Sequence, residues 1–83
     1  MGRKRQGLIA GIPERNRDFA EHLGEVLDRS GATPSELAVK IGRSHVIVLQ
    51  YLQGMHLPRL QDLPELAHAL NLGSARELIP DRW

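Results

Sequence analysis

ELAVKIGRSHVIVLQYLQG, residues 36–54, is the stretch whose reading decides the fold. Its centre, VIVL at 46–49, looks like a buried strand, because β-branched residues favour extended backbone. The residues around it argue for a helix. Ser44 stands where an N-cap would accept backbone N–H groups, and Gly54 where a helix would stop in left-handed backbone. A strand here would also lack a partner, since no other stretch reads as one and backbone groups must be paired. The pattern predicts a helix between Ser44 and Gly54, preceded by a shorter helix that ends at Gly42.

The shorter helix has a clear start. In TPSE, residues 33–36, Thr33 is an N-cap, Pro34 takes the first helical position and Glu36 lies three residues after the cap. That is a capping box with proline in its favoured place. Leu37, Ala38 and Ile41 form the inward face. Upstream, Phe19, Leu23, Val26 and Leu27 recur at helical spacing, in a helix that begins at Pro13 and ends near Ser30, before Gly31. Downstream, LPRLQDLP at 57–64 reads as a loop entering a fourth helix, with Leu63, Leu66, Ala67 and Leu70 on its inner face. Asn71 can supply its left-handed C-cap. SARE, residues 74–77, reads as a second capping box. It would open a short fifth helix that carries Leu78 and Ile79 and stops at Pro80. The expectation is all-α: a compact five-helix bundle over residues 12–83, behind a flexible basic arm at 1–11.

Composition narrows the chemistry. Eighty-three residues make one domain. Cysteine is absent, which excludes disulfides and thiolate metal sites. The histidines, His22, His45, His56 and His68, are scattered without metal-ligand spacing, so no metal and no cofactor is expected. No nucleophile–base set or glycine-rich phosphate loop is present, and an enzyme is not expected. Glu21, Glu25 and Asp28 read as the outer side of an amphipathic helix. No apolar run approaches the roughly 18 residues of a membrane span. The apolar LIAGIP after MGRKRQG is too short for a signal-peptide core, so the expected location is cytoplasmic.

The formal net charge is +1, unevenly spread. Residues 1–17 carry five basic side chains (Arg3, Lys4, Arg5, Arg15, Arg17) against Glu14, while residues 18–83 are net acidic. A basic arm before a mildly acidic body suits contact with a polyanion, although a solvated terminus without a partner has the same composition.

The order of these features resembles one family. ELAVKIG, a serine cap, a ten-residue helix, a glycine twelve positions after Gly42, a loop containing LPR, and then LPELAHAL are similar to the lambdoid phage repressor and Cro-like (XRE-like) helix-turn-helix family. The likeness spans roughly residues 17–79. It implies that the second motif helix enters the DNA major groove and touches base edges with its N-terminal residues. By position, Ser44, His45, Val46, Ile47 and Gln50 would contact bases. Glutamine can bond adenine through two hydrogen bonds, and apolar groups can meet a thymine methyl. Gln53, Arg59 and, in the turn, Arg43 would grip phosphate, as would Arg3, Lys4 and Arg5 in the arm. The family commonly opens its first motif helix with a phosphate-binding glutamine. Pro34 occupies that position here, so Ser35 or backbone N–H groups would substitute.

A second departure sorts the apolar run. The resemblance places Val48 and Tyr51 inward. Leu52 stands where the family usually has a glutamate, and Leu27 where that glutamate's arginine partner would be. The paired replacement implies that Leu27 and Leu52 are buried together. Val46, Ile47 and Leu49 are then the apolar residues expected to face outward.

Two functions fit. The first is a sequence-specific double-stranded DNA-binding transcription regulator, a repressor on a palindromic operator, dimerising through Leu78, Ile79 and Trp83. The second is a protein-interaction module, antitoxin-like or anti-repressor-binding, that docks a protein partner through Val46, Ile47 and Leu49.

Overall fold

The computed structural model describes residues 11–80. These residues form α1 (Glu14–Ser30), α2 (Pro34–Ile41), α3 (His45–Gln53), a 3₁₀ turn (Leu60–Asp62), α4 (Leu63–Ala69) and a second 3₁₀ turn (Ala75–Leu78). There is no strand among the described residues. VIVL lies inside α3. The basic arm up to residue 10, and Trp83, lie outside the described residues.

Local sequence sets the helix ends. At α2 the Thr33 hydroxyl accepts from the Glu36 N–H at 3.1 Å, and the Glu36 carboxylate accepts from the Thr33 N–H at 2.9 Å. Both halves of the expected capping box are present. Ser44 caps α3 by accepting from the Ile47 N–H at 3.3 Å. Gly42 ends α2 at φ 70°, which leaves its N–H bonded to the Val39 carbonyl and the Arg43 N–H bonded to the Ala38 carbonyl. A side chain at Gly42 would meet no neighbour, so only its backbone angle calls for glycine. Asn71 ends α4 in the same way at φ 62°. Its N–H reaches the His68 carbonyl, and the Leu72 N–H reaches the Ala67 carbonyl.

The fifth helix is not an α-helix. Residues 75–78 form a 3₁₀ turn, closed by bonds from the Glu77 N–H to Ser74 and from the Ile79 N–H to Arg76. The capping box is incomplete there. Ser74 does accept a backbone N–H, from Arg76, but the Glu77 carboxylate bonds the N–H of Gly73 rather than that of Ser74. The Glu77 carbonyl, which a longer helix would use, instead accepts from the His22 ring Nε2 at 2.7 Å. This bond ties the turn to α1.

One core joins the elements. Phe19, Leu23, Val26 and Leu27 of α1 are all buried, as their spacing predicts. They meet Leu37 and Ala38 from α2, Val48, Tyr51 and Leu52 from α3, and Leu63, Leu66, Ala67 and Leu70 around α4. Leu27 is 2% exposed and Leu52 6%, both in this core. Leu78 belongs to it too and is fully buried. That corrects its placing as a dimer contact: the Leu78 side chain is consumed by the domain's own interior. Ile79 is half-buried against the same core.

Candidate nucleic-acid interface

Packing decides which residues α3 presents. At about 100° per residue, Val48, Tyr51 and Leu52 fall on one side and Val46, Gln50 and Gln53 on the opposite one. Burial agrees: the first three lie in the core, Val46 is 59% exposed, and Gln50 and Gln53 are half-buried. Ser44 and His45, at the open end of the helix, are exposed. The Ser44 oxygen is occupied as a cap acceptor, but its O–H proton remains available for donation. No acidic residue lies in the first turn of α3, whereas α1 and α2 carry Glu14 and Glu36 there. The positive end of the α3 dipole therefore has no carboxylate of its own in that turn.

Two expectations for the outward face change. Ile47 is partly buried against the core, so it flanks the outward face rather than pointing from it. Leu49 is half-buried as well. Of the three apolar residues expected outward, Val46 alone is exposed.

The phosphate candidates are divided. Ser35 is exposed in the first turn of α2, and Arg59 is exposed just before the first 3₁₀ turn. Arg43 is already engaged. Its guanidinium donates to Asp62 Oδ1 at 3.0 Å, from the α2–α3 turn to the start of α4. Asp62 is buried, with its side chain 13% exposed against 42% for Arg43.

Asp62 and Asn16 are site-shaping residues that sequence reasoning missed. Asn16 donates from Nδ2 to the Gly54 carbonyl at 3.0 Å, tying the first turn of α1 to the end of α3. Neither pairing has a local signal. Arg43 and Asp62 are 19 residues apart and Asn16 and Gly54 are 38 apart, so only the fold brings them together.

Tyr51 lies on the inner side of α3, and its phenol is pushed above the ordinary value of 10.0. Burial is the main cause and the Asp62 carboxylate the second, with Arg43 and Arg59 pulling the other way. The folded value lies above the unfolded one, so the stability it represents is fully present below pH 10 and is lost as pH rises through the folded value. Urea unfolding above pH 10 should show a steeper loss of stability in the wild type than in Tyr51→Phe. Equal slopes would remove Tyr51 from the interior.

Among the described residues no group of three or more His, Cys, Asp or Glu side chains is placed to hold a metal ion. None of their helices is long and apolar enough to cross a membrane.

No family model matches the chain, and no curated protein matches it. Solved structures do. The restriction-modification controller protein C.AhdI from Aeromonas hydrophila is 25% identical, with a TM-score of 0.75 over 81% of this chain and 100% of its own. The hypothetical transcription factor NHTF from Neisseria is 20% identical, with a TM-score of 0.70 over 94% of this chain and 93% of its own. The resemblance to the phage-repressor-like helix-turn-helix family, read first from ELAVKIG and LPELAHAL, therefore extends to three dimensions.

Proposed function

We propose that this chain is a sequence-specific double-stranded DNA-binding transcription regulator, acting as a repressor on a palindromic operator as a homodimer. The observation that carries this reading is the presentation of α3. Its inner side is locked into the core, while Ser44, His45, Val46 and Gln50 stand along its open end and outer face. A helix held this way fits the major groove, where such side chains meet base edges. The structural neighbours, a restriction-modification controller and a hypothetical transcription factor, support a regulatory role.

The contacts divide by task, with phosphate contacts positioning the protein and base contacts selecting the site. His45 and Gln50 are assigned to base edges, and Val46 to a thymine methyl. Ser35, Gln53 and Arg59 are assigned to phosphate, together with Arg3, Lys4 and Arg5 of the arm. One unit of this kind covers one half-site, so two-fold symmetry supplies the second. Leu78 is unavailable for that contact, and Ile79 with Trp83 remains the proposed dimer surface.

His45→Ala and Gln50→Ala test the assignment. Each should relax selection at one base position of the half-site, by about 1–3 kcal/mol of discrimination, measured by competition between the preferred duplex and single-base variants. Equal losses on preferred and random duplexes would place both side chains on phosphate.

A further inference from the structure

Residue 43 is the point where three helices meet. Its backbone N–H is held by the Ala38 carbonyl of α2 at 3.0 Å. Its next neighbour, Ser44, caps α3. Its guanidinium is held by Asp62, the residue before α4. At the far end of α3 the Asn16 amide holds the Gly54 carbonyl. The reading helix is thus tethered at both ends by polar side chains, while Val48, Tyr51 and Leu52 hold its middle.

The Arg43–Asp62 pair also has an electrostatic consequence. A helix-turn-helix turn lies beside the DNA backbone, and a free arginine there would add affinity for any duplex. In this chain that arginine faces a carboxylate buried deeply enough to leave only 13% of its side chain exposed. The turn carries its cation already neutralised.

We propose that Asp62 is a positioning and specificity-determining residue. It pins the start of the reading helix through Arg43 and withholds the Arg43 charge from sequence-independent phosphate contact. This rests on the DNA-reading function proposed above. It replaces the expectation that Arg43 is itself a phosphate ligand. Because Asp62 touches no base in this scheme, its effect is on the ratio of specific to non-specific binding.

The test uses the full chain, the preferred duplex and a random-sequence duplex of equal length, each over a series of salt concentrations. Asp62→Asn keeps an oxygen acceptor for Arg43 and removes the charge. It should bind random duplex several-fold more tightly at low salt, lower the specific-to-random ratio, and steepen the slope of log K against log salt by up to about 0.9, the value of one phosphate. The double variant Arg43→Gln/Asp62→Asn removes both charges and should return the slope on random duplex to the wild-type value. Tyr51, the sole tyrosine of the chain, reports the local charge. Its ultraviolet titration should move downward in Asp62→Asn, and far-ultraviolet circular dichroism equal to that of the wild type shows that the variant is folded. An unchanged slope and ratio in Asp62→Asn would overturn the proposal. So would a double variant whose slope is flatter than wild type by about 0.9, since Arg43 would then contact phosphate while paired. A wild-type chain that binds neither duplex overturns this proposal and the DNA reading together. Wild-type binding with either of the first two results overturns this proposal alone.

Discussion

Leu52→Glu is expected to lower the free energy of unfolding by about 3–5 kcal/mol, because it places an unpaired charge in the interior. Leu52 is 6% exposed on the inner side of α3, and Leu27 of α1 is 2% exposed in the same core. The helix-turn-helix family that the sequence resembles usually has a glutamate and an arginine at these two positions. An ion pair there carries a desolvation cost that its attraction need not recover, and well-packed apolar substitutes are often neutral or stabilising. Two leucines are such a substitute. Adding Leu27→Arg to Leu52→Glu should therefore recover much of the loss, with a coupling on the order of 1–3 kcal/mol in a double-mutant cycle. Leu49→Glu, at a half-buried position outside that core, should show almost no coupling to Leu27. Chemical denaturation of the five variants checks the set. A Leu52→Glu chain of wild-type stability would place Leu52 on the surface.

Leu78→Ala carries the second large effect. Leu78 has no exposed surface and reaches the core from a 3₁₀ turn packed against α1 and α4. Truncating a fully buried leucine removes its transfer energy and leaves a cavity, together about 2–5 kcal/mol. The expected loss does not vary with protein concentration, because the contacts lie within one chain. A loss present at high concentration that shrinks on dilution would mark Leu78 as an interface residue, since a partner stabilises the folded chain only while it is bound. This turn is held by few bonds of its own, so its anchorage by Leu78 and by the His22 bond to Glu77 matters more than its helical propensity.

The four α-helices were legible in the sequence because their signals are local. Thr33 with Glu36, Ser44, Gly42, Gly54 and Asn71 each act within a few residues, and each ends or starts a helix where expected. The inner faces were legible for the same reason: Phe19, Leu23, Val26 and Leu27 follow the helical period. The fifth helix failed at this range. SARE has capping-box residues, but the Glu77 carboxylate found the Gly73 N–H, and the His22 ring took the Glu77 carbonyl. A bond between residues 55 positions apart cannot be read from a four-residue motif.

The site was legible only as far as the resemblance and helical geometry reach. Val46 and Gln50 were assigned to it through the family resemblance; helical geometry adds only that both lie opposite the core side of α3, and the exposure of Val46 agrees. Ile47 was misplaced, because it lies at the edge of the helix face, where the depth of packing against neighbours decides burial. Arg43 looked like a free cation because its partner, Asp62, sits in a segment read as a loop. Asn16 carried no signal, since its partner is a backbone carbonyl. What the sequence withheld is the set of polar tethers that hold α3 in place.

In the proposed function α3 reads DNA as one of two symmetric units. Selection of bound sites from random double-stranded DNA, using the full chain at moderate salt, tests it most directly. The expected result is an enriched inverted repeat whose half-site centres lie about one helical turn, roughly 10 bp, apart. Binding to it should weaken steeply as salt rises. Recovery of no enriched sequence at any salt concentration would contradict the claim.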